Sequence, residues 1–153
     1  MVALNKGKKL SLNADLIFQE LISSTGTELK VSFTPEAIRS GEVPTGVVPG
    51  LADWLNIDCK DMLKLLKISR STFYRRKRSG VLRGDEADRV YRYVRLYTLA
   101  STLFHGDIDS AREWLNRPAY AFRSKTPLEH ATTEIGAHEV ETLIGRIEHG
   151  IPS

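Results

Sequence analysis

Apolar residues recur at helical spacing along most of the chain. The longest stretch covers residues 85–104, where the apolar positions fall near one stripe and Arg89, Arg92 and Arg95 lie on other faces. The same period predicts helices over residues 13–24, 51–57, 59–66, 69–79, 109–116 and 138–148, with a capped turn at 126–129. The pattern therefore predicts an all-α protein.

Two stretches near the N-terminus depart from this period. Residues 28–33 alternate strictly between polar and apolar side chains, which predicts a short half-buried strand. A single strand needs a pairing partner, which could be a second copy of the chain, another protein or a segment that the pattern does not reveal. Residues 41–50 contain three Gly and two Pro and predict a linker.

Charge is distributed unevenly along the predicted helices. Residues 51–84 carry nine cations and three acids, whereas residues 85–153 carry eight cations and eleven acids. No acid interrupts the stretch from 67 to 83, which contains Lys67, Arg70, Arg75, Arg76, Lys77, Arg78 and Arg83. A cationic segment joined to an acidic one indicates a polyanion, first of all nucleic acid, as one partner and a different molecule as the other.

The basic stretch has the layout of a helix-turn-helix. Leu63 and Leu66 are placed to pack its first helix, Ile68 to fill the turn, Ser69 to cap the second helix and Phe73 to anchor that helix to the core. In this layout residues 59–80 resemble the Xre-type family of DNA-binding domains. That resemblance implies that residues 69–79 form a recognition helix for the major groove of operator DNA. The alternative is that this segment is a basic helix that faces solvent and binds no ligand.

The recognition helix would present a polar face to DNA. Its outward positions are Arg70, Ser71, Thr72, Tyr74, Arg75 and Arg78. An arginine can grip guanine with two hydrogen bonds, and a hydroxyl can reach a base or a phosphate. Arg76, Lys77 and Arg83 are placed for phosphate contacts, which position a protein without reading sequence. Lys67 occupies the turn position where such domains commonly hold glycine, so we expect a strained turn there.

The acidic half carries a second resemblance. From residue 111 onward the chain is similar to the toxin-binding domain shared by the Xre, MbcA and ParS antitoxins. The matching elements are 111–115 with Pro118, 126–128, 133–136, 140–143 and 146–150. Together with the helix-turn-helix, the resemblance covers residues 51–153. We therefore expect an N-terminal segment (1–48, a candidate for dimerisation), an Xre-like helix-turn-helix domain (49–106) and a small helical toxin-binding domain (107–153).

The second resemblance implies a type II antitoxin that neutralises a cognate RES-domain toxin, an NAD-degrading enzyme, by covering its active site. From the helix-turn-helix we expect it to repress its own operon as a homodimer, since such proteins usually bind paired half-sites as symmetric dimers. The alternative is a stand-alone helix-turn-helix regulator with a C-terminal protein-interaction domain. The apolar residues of this half are Trp114, Leu115, Leu128, Ile135, Val140, Leu143 and Ile147, and for most of them we expect a place in the core. Tyr120 and Phe122 lie in a predicted loop with little core to cover them, so we expect exposed partner contacts there.

The C-terminal residues complete the predicted toxin contact. A site that binds a diphosphate needs a cationic cleft. Glu148 and the terminal carboxylate of Ser153 could occupy that cleft, Ile151 its apolar wall, and Arg146 and His149 its mouth.

Nothing in the sequence points to catalysis, a cofactor or a metal site. The histidines at 105, 130, 138 and 149 have no metal-ligand spacing, and the glycines form no nucleotide-binding motif. The single Cys59 excludes an internal disulfide framework. Since we find no signal-peptide core and no apolar run near the ~18 residues of a membrane span, we expect a cytoplasmic protein without membrane contact.

Overall fold

A computed structural model describes residues 14–24 and 43–150 of the chain. These residues form eight α-helices and one short 3-10 turn. In chain order they are α1 (Ala14–Ser24), α2 (Val47–Leu55), α3 (Cys59–Leu65), α4 (Arg70–Ser79), α5 (Gly84–Leu103), α6 (Ile108–Asn116), the 3-10 turn (Tyr120–Phe122), α7 (Pro127–His130) and α8 (Glu134–Glu148). The all-α prediction is confirmed, while the strand predicted over 28–33 lies outside the described residues.

Helix α5 is the centre of the molecule. It contacts α1 and α2 of the N-terminal half and α6 and α8 of the C-terminal half. Val90, Val94 and Leu96 on its inner face are fully buried, and one continuous core runs from Ile17 to Ile144. The predicted stripe is confirmed at Ala87, Val90, Val94 and Tyr97, whereas its members Tyr91, Leu103 and Phe104 are only partly buried.

Helix α2 begins inside the predicted linker. Val47, Val48 and Leu51 are all buried, so the apolar positions of residues 47–50 belong to the core. Pro49 is tolerated in the first turn because backbone N–H groups there have no partner within the helix. The linker prediction is therefore wrong from Val47 onward. The error arose because the glycine and proline content of residues 41–50 is typical of a linker, although a helix starts within it.

The segment before α2 is tied to the segment after α4. The N–H of Thr45 donates to the carbonyl of Gly80 at 3.1 Å, and the N–H of Leu82 donates to the carbonyl of Val43 at 2.8 Å. Pro44 and Val81 form an isolated antiparallel bridge between these hydrogen bonds. The C-terminal end of α4 is thereby fixed in position.

The two halves are also joined by side chains that reach backbone carbonyls across the boundary. Arg112 Nε donates to the Trp54 carbonyl at 2.6 Å, and Asn116 Nδ2 donates to the Leu55 carbonyl at 3.0 Å. Both carbonyls lie at the C-terminal end of α2, where the last turn leaves acceptors without intrahelical donors. Helix α6 therefore completes the hydrogen bonding of a helix in the other half.

Helix α8 starts four residues earlier than predicted. Thr133 caps it, accepting a hydrogen bond from the Gly136 N–H at 3.0 Å. Its inner face buries Val140 and Ile144. Ile135 and Ile147, which were included among the candidate core residues, lie on its exposed side and are 76% and 44% exposed. No helix in the described residues is long and apolar enough to cross a membrane.

Candidate functional site

The turn that precedes α4 has the strained geometry expected from its sequence. Lys67 adopts a left-handed conformation with φ of 54°, which costs a non-glycine residue roughly 1 kcal/mol. Ser69 then caps α4 by accepting a hydrogen bond from the Thr72 N–H at 3.1 Å. Gly80, with φ of 82°, ends the helix. The predicted turn, cap and stop are confirmed.

The inner face of the helix-turn-helix is apolar and covered. Leu63, Leu66, Ile68 and Phe73 are all buried, as predicted. Because Phe73 fixes the rotation of α4, the opposite face of the helix points to solvent. Six of the predicted DNA-contacting side chains are exposed there: Arg70, Ser71, Tyr74, Arg75, Lys77 and Arg78.

Two of the predicted contacts have other partners in the structure. The Thr72 hydroxyl accepts hydrogen bonds from Ser69 Oγ at 2.8 Å and from Arg75 Nη2 at 3.4 Å. Lys77 Nζ lies 5.2 Å from the centre of the Phe73 ring and 5.7 Å from that of Tyr74, within cation–π range. Thr72 thus stabilises the start of α4, and the Lys77 side chain packs over the aromatic rings of the same helix.

Arg76 departs most from the predicted face. Its Nε donates to both carboxylate oxygens of Glu86 on α5, at 2.9 and 3.1 Å, and its side chain is only 17% exposed. The hydrogen bond to Glu86 raises the pKa of the Arg76 guanidinium. The sequence analysis placed Arg76 for contact with DNA phosphates, and the structure corrects this. Arg76 is turned toward α5 and links α4 to that helix.

Glu86 positions α4 through Arg76, and the sequence analysis did not identify it. It also accepts a hydrogen bond from the Arg83 N–H at 2.8 Å. Burial raises the pKa of the Glu86 carboxyl, but the hydrogen bonds from Arg76 and from the Arg83 backbone outweigh it and hold the pKa below its ordinary value. A signal was present in the sequence, since an acid at the third position of a helix commonly binds the backbone before that helix.

The two aromatic residues of the loop between α6 and α7, both predicted as partner contacts, differ in exposure. Tyr120 is fully exposed. Phe122 is only 4% exposed, and its ring stacks on the His130 ring with centroids 4.4 Å apart. The prediction that both rings are uncovered is therefore wrong for Phe122, because the loop folds back and uses this residue as its anchor.

The same loop is tightly closed on itself. The Ala119 carbonyl accepts from the N–H groups of Phe122 and Ser124, and the Ala119 N–H donates to the Lys125 carbonyl, at 3.0 to 3.1 Å. Arg123 and Ser124 have φ of 52° and 65°, consecutive left-handed conformations in non-glycine residues. Such conformations persist only where the surrounding structure enforces them.

An arginine and glutamate network holds α8 against α5. Glu134 accepts from Arg92 Nε at 3.0 Å and from Arg95 Nη2 at 2.9 Å, and Glu141 accepts from Arg95 Nε at 2.5 Å. Burial raises the pKa of the Glu134 carboxyl, but the hydrogen bonds from Arg95 and Arg92 outweigh it and lower that pKa overall. These arginines therefore serve the fold.

The predicted toxin contacts at the end of α8 are only partly described. Arg146, Glu148 and His149 are exposed in the last turn of α8 and just after it. Ile151 and Ser153 lie outside the described residues. Among the residues that the structure describes, no three His, Cys, Asp or Glu side chains are grouped to hold a metal ion.

Comparisons with known proteins cover both halves of the chain. The antitoxin Xre-like helix-turn-helix domain matches residues 36–95, and the antitoxin Xre/MbcA/ParS C-terminal toxin-binding domain matches residues 99–150. The boundary between the two matches falls within α5.

Three curated relatives each carry the name antitoxin Xre. The protein of Photorhabdus laumondii is 36% identical over 132 residues, which is 86% of this chain and 85% of the relative. That of Yersinia enterocolitica is 36% identical over 69% of this chain and 72% of the relative, and that of Pseudomonas putida is 27% identical over 76% and 77%. With two domain models matched in order and a relative of this identity along most of its length, the chain belongs to the Xre family of antitoxins.

Proposed function

We propose that this type II antitoxin neutralises a RES-domain toxin that degrades NAD, and that it represses its own operon as a homodimer bound to operator DNA. Toxin and DNA are the partners to which its two domains correspond, and the protein is an antitoxin rather than an enzyme. The observation that carries the proposal is the pairing in one body of an exposed, capped cationic helix with a toxin-binding domain that ends in exposed charged residues.

DNA binding is assigned to the exposed face of α4. Arg75 and Arg78 lie one turn apart on a helix whose rotation is fixed by buried Phe73. A helix presented in this way fits the major groove, where arginine can recognise guanine. Arg76 supports this face from behind through Glu86, so we assign it to positioning rather than to base recognition.

Toxin neutralisation is assigned to the end of α8 and the residues that follow it. An enzyme that degrades NAD must bind a diphosphate, and a diphosphate site requires cationic groups in a cleft. Glu148 and the carboxylate of Ser153 would compete for those groups, while Ile151 would contact an apolar wall. Arg146 and His149 would lie at the rim.

Co-expression with the product of the adjacent gene, which we expect to be a RES-domain protein, tests the first assignment. We expect the wild-type chain to copurify with the toxin and to prevent NAD loss in cells. Deletion of residues 151–153 or the change Glu148→Gln should weaken inhibition by about tenfold. Asp88→Asn, at an exposed carboxylate of α5 outside the toxin-binding half, is the matched control. Full inhibition by the folded truncation would refute the placement, and a wild-type chain that fails to inhibit would refute neutralisation itself.

Operator binding measured across salt concentration tests the second assignment. The affinity of a DNA-binding protein falls steeply with salt because bound cations displace counterions from phosphate. Arg75→Ala and Arg78→Ala should each weaken operator binding by about tenfold, whereas Arg117→Ala, at an exposed arginine outside α4, should leave it unchanged. Binding that is flat in salt and insensitive to both changes would refute the DNA assignment.

A further inference from the structure

Two large apolar side chains of the toxin-binding domain are left uncovered by its core. Tyr120 is fully exposed in the loop before α7, and Ile135 is 76% exposed in the first turn of α8. Single exposed apolar residues are common on protein surfaces. These two differ because the segments that carry them, the loop and the start of α8, are joined by side-chain contacts of neighbouring residues.

The connection passes through His130. Phe122, two residues after Tyr120, stacks on the His130 ring, and His130 Nε2 contacts the Glu139 carboxylate. Glu139 lies four residues after Ile135 and therefore one turn along the same face of α8. His130 therefore joins the loop that carries Tyr120 to the face of α8 that carries Ile135.

The loop that presents Tyr120 is preorganised. Its backbone is closed by the hydrogen bonds to Ala119, and it holds two consecutive residues in left-handed conformations. Buried Phe122 fixes the loop from below. A rigid loop loses little conformational entropy on binding, and an exposed aromatic on such a loop is a typical anchor in protein interfaces.

Charge around the loop indicates the kind of partner. Arg123 and Lys125 are exposed just after Tyr120, whereas the exposed Arg117 before it is paired with Glu113. The surface that faces Arg123 and Lys125 should therefore carry carboxylates. DNA would satisfy these cations, but it would leave Ile135 without an apolar partner. A protein surface with apolar sockets and an acidic rim satisfies both features.

The position of Ile135 favours the toxin as that protein. Residues 135, 139, 142, 146 and 149 follow helical spacing along the outer face of α8, and all five are exposed. Ile135 and His149 are about 21 Å apart along the helix axis. The surface is therefore continuous with the end of α8 that is assigned above to the toxin's active site.

We propose that Tyr120 and Ile135 are the apolar anchors of a second contact with the toxin. This contact binds a part of the toxin surface that lies outside the active-site cleft and has apolar pockets with an acidic rim. This inference rests on the proposed neutralisation of a toxin. It adds a contact that secures the antitoxin while the C-terminal residues cover the cleft. It also gives the Phe122 and His130 stack a role, which is to hold Tyr120 in position.

Substitutions at the two anchors test the proposal in binding measurements between purified toxin and antitoxin. Ile135→Asp should weaken binding by about tenfold or more, and the fold should tolerate it because an acid in the first turn of a helix is favourable. Tyr120→Ser should act similarly, whereas Tyr120→Phe should retain most of the affinity. Leu16→Asp, at an apolar residue of α1 that is 57% exposed, is the matched control and should have no effect.

The charge argument has its own test. The double change Arg123→Glu and Lys125→Glu should slow association with the toxin and reverse its salt dependence, since rim charges act mainly on the association rate. Operator affinity should be unchanged in the variants at Tyr120, Arg123, Lys125 and Ile135, which also shows that they are folded.

Different outcomes separate this inference from the function on which it depends. If the wild-type chain binds the toxin and Ile135→Asp and Tyr120→Ser bind it equally well, the anchor surface is refuted and neutralisation stands. If these variants lose only self-association, the surface joins two copies of the chain and the inference is wrong. If the wild-type chain does not bind the toxin, both are refuted.

Discussion

One methyl group at Gly136 tests the packing that holds α7 against α8. A Cβ atom at this position would lie 1.9 Å from the His130 carbonyl oxygen, 3.0 Å from the carbonyl carbon and 3.1 Å from Thr133 Oγ1. Real Cβ atoms essentially never lie within 3.0 Å of such a neighbouring atom. Because the obstructing atom belongs to the backbone, no rotamer change can relieve the clash. In Gly136→Ala, α7 must therefore move away from α8.

The magnitude follows from two opposing contributions. Replacing glycine by alanine within a helix stabilises by about 0.5 to 1 kcal/mol. Overpacking a close contact costs about 1 to 3 kcal/mol, and a clash with backbone belongs at the upper end of that range. We therefore expect Gly136→Ala to lower the free energy of unfolding by about 2 kcal/mol, which corresponds to a fall in Tm of roughly 4–8 °C for a domain of this size.

Gly145 provides the control within the same helix. A Cβ atom there would meet no heavy atom within 4 Å, so Gly145→Ala should raise the free energy of unfolding by about 0.5 kcal/mol. Urea denaturation followed by circular dichroism measures both changes. The reasoning is refuted if Gly136→Ala is as stable as the wild type, or if the two substitutions change stability in the same direction by similar amounts.

Three further predictions concern stability. Lys67→Gly should raise the free energy of unfolding by about 0.5 kcal/mol in urea denaturation, because relief of the left-handed strain exceeds the entropy glycine adds to the unfolded chain; a loss of stability would contradict this. Tyr93→Phe should lower it by about 1 to 2 kcal/mol, because the buried hydroxyl is shared between two backbone carbonyls, and an unchanged midpoint would argue against that role. Arg95 and Arg92 hold the pKa of the Glu134 carboxyl below its ordinary value, so the ionised carboxylate stabilises the folded state. This contribution to the free energy of unfolding is complete above about pH 5 and is lost as pH falls through the lowered pKa. A pH series on Glu134→Gln should show a smaller acid loss than the wild type.

The sequence predicts those parts of the fold that depend on local signals. Ser69 before α4, Gly80 after it and Thr126 before α7 are recognisable caps and stops, and each one acts as predicted in the structure. The long stripe of α5 is equally clear. Local signals suffice in these places because the interactions span only three or four residues along the chain.

The errors arise where a distant part of the chain decides the outcome. Phe122 is buried because His130, eight residues later, offers a ring to stack on. Arg76 is turned toward α5 because Glu86 lies behind it. Ile135 appeared to be a core residue because it is apolar, but Thr133 starts α8 in a register that turns it outward. A run of charged residues or an aromatic loop in the sequence therefore indicates a candidate binding surface. Which of its side chains are exposed depends on contacts with distant residues, and these contacts cannot be read from the local sequence.

Helix α5 explains why one small body can carry both surfaces. The helix-turn-helix match ends at residue 95 and the toxin-binding match begins at 99, so the boundary between them lies within a continuous helix of 20 residues. Near its start Glu86 holds α4, and at its middle the buried Tyr93 hydroxyl lies between carbonyls of α3 and α7. Burial raises the pKa of Tyr93 well above its usual range, so the hydroxyl keeps its proton and remains a donor. Because each half supplies hydrogen-bond partners and apolar cover that the other half lacks, the toxin-binding half is also part of the scaffold that positions α4, the helix to which we assign DNA binding.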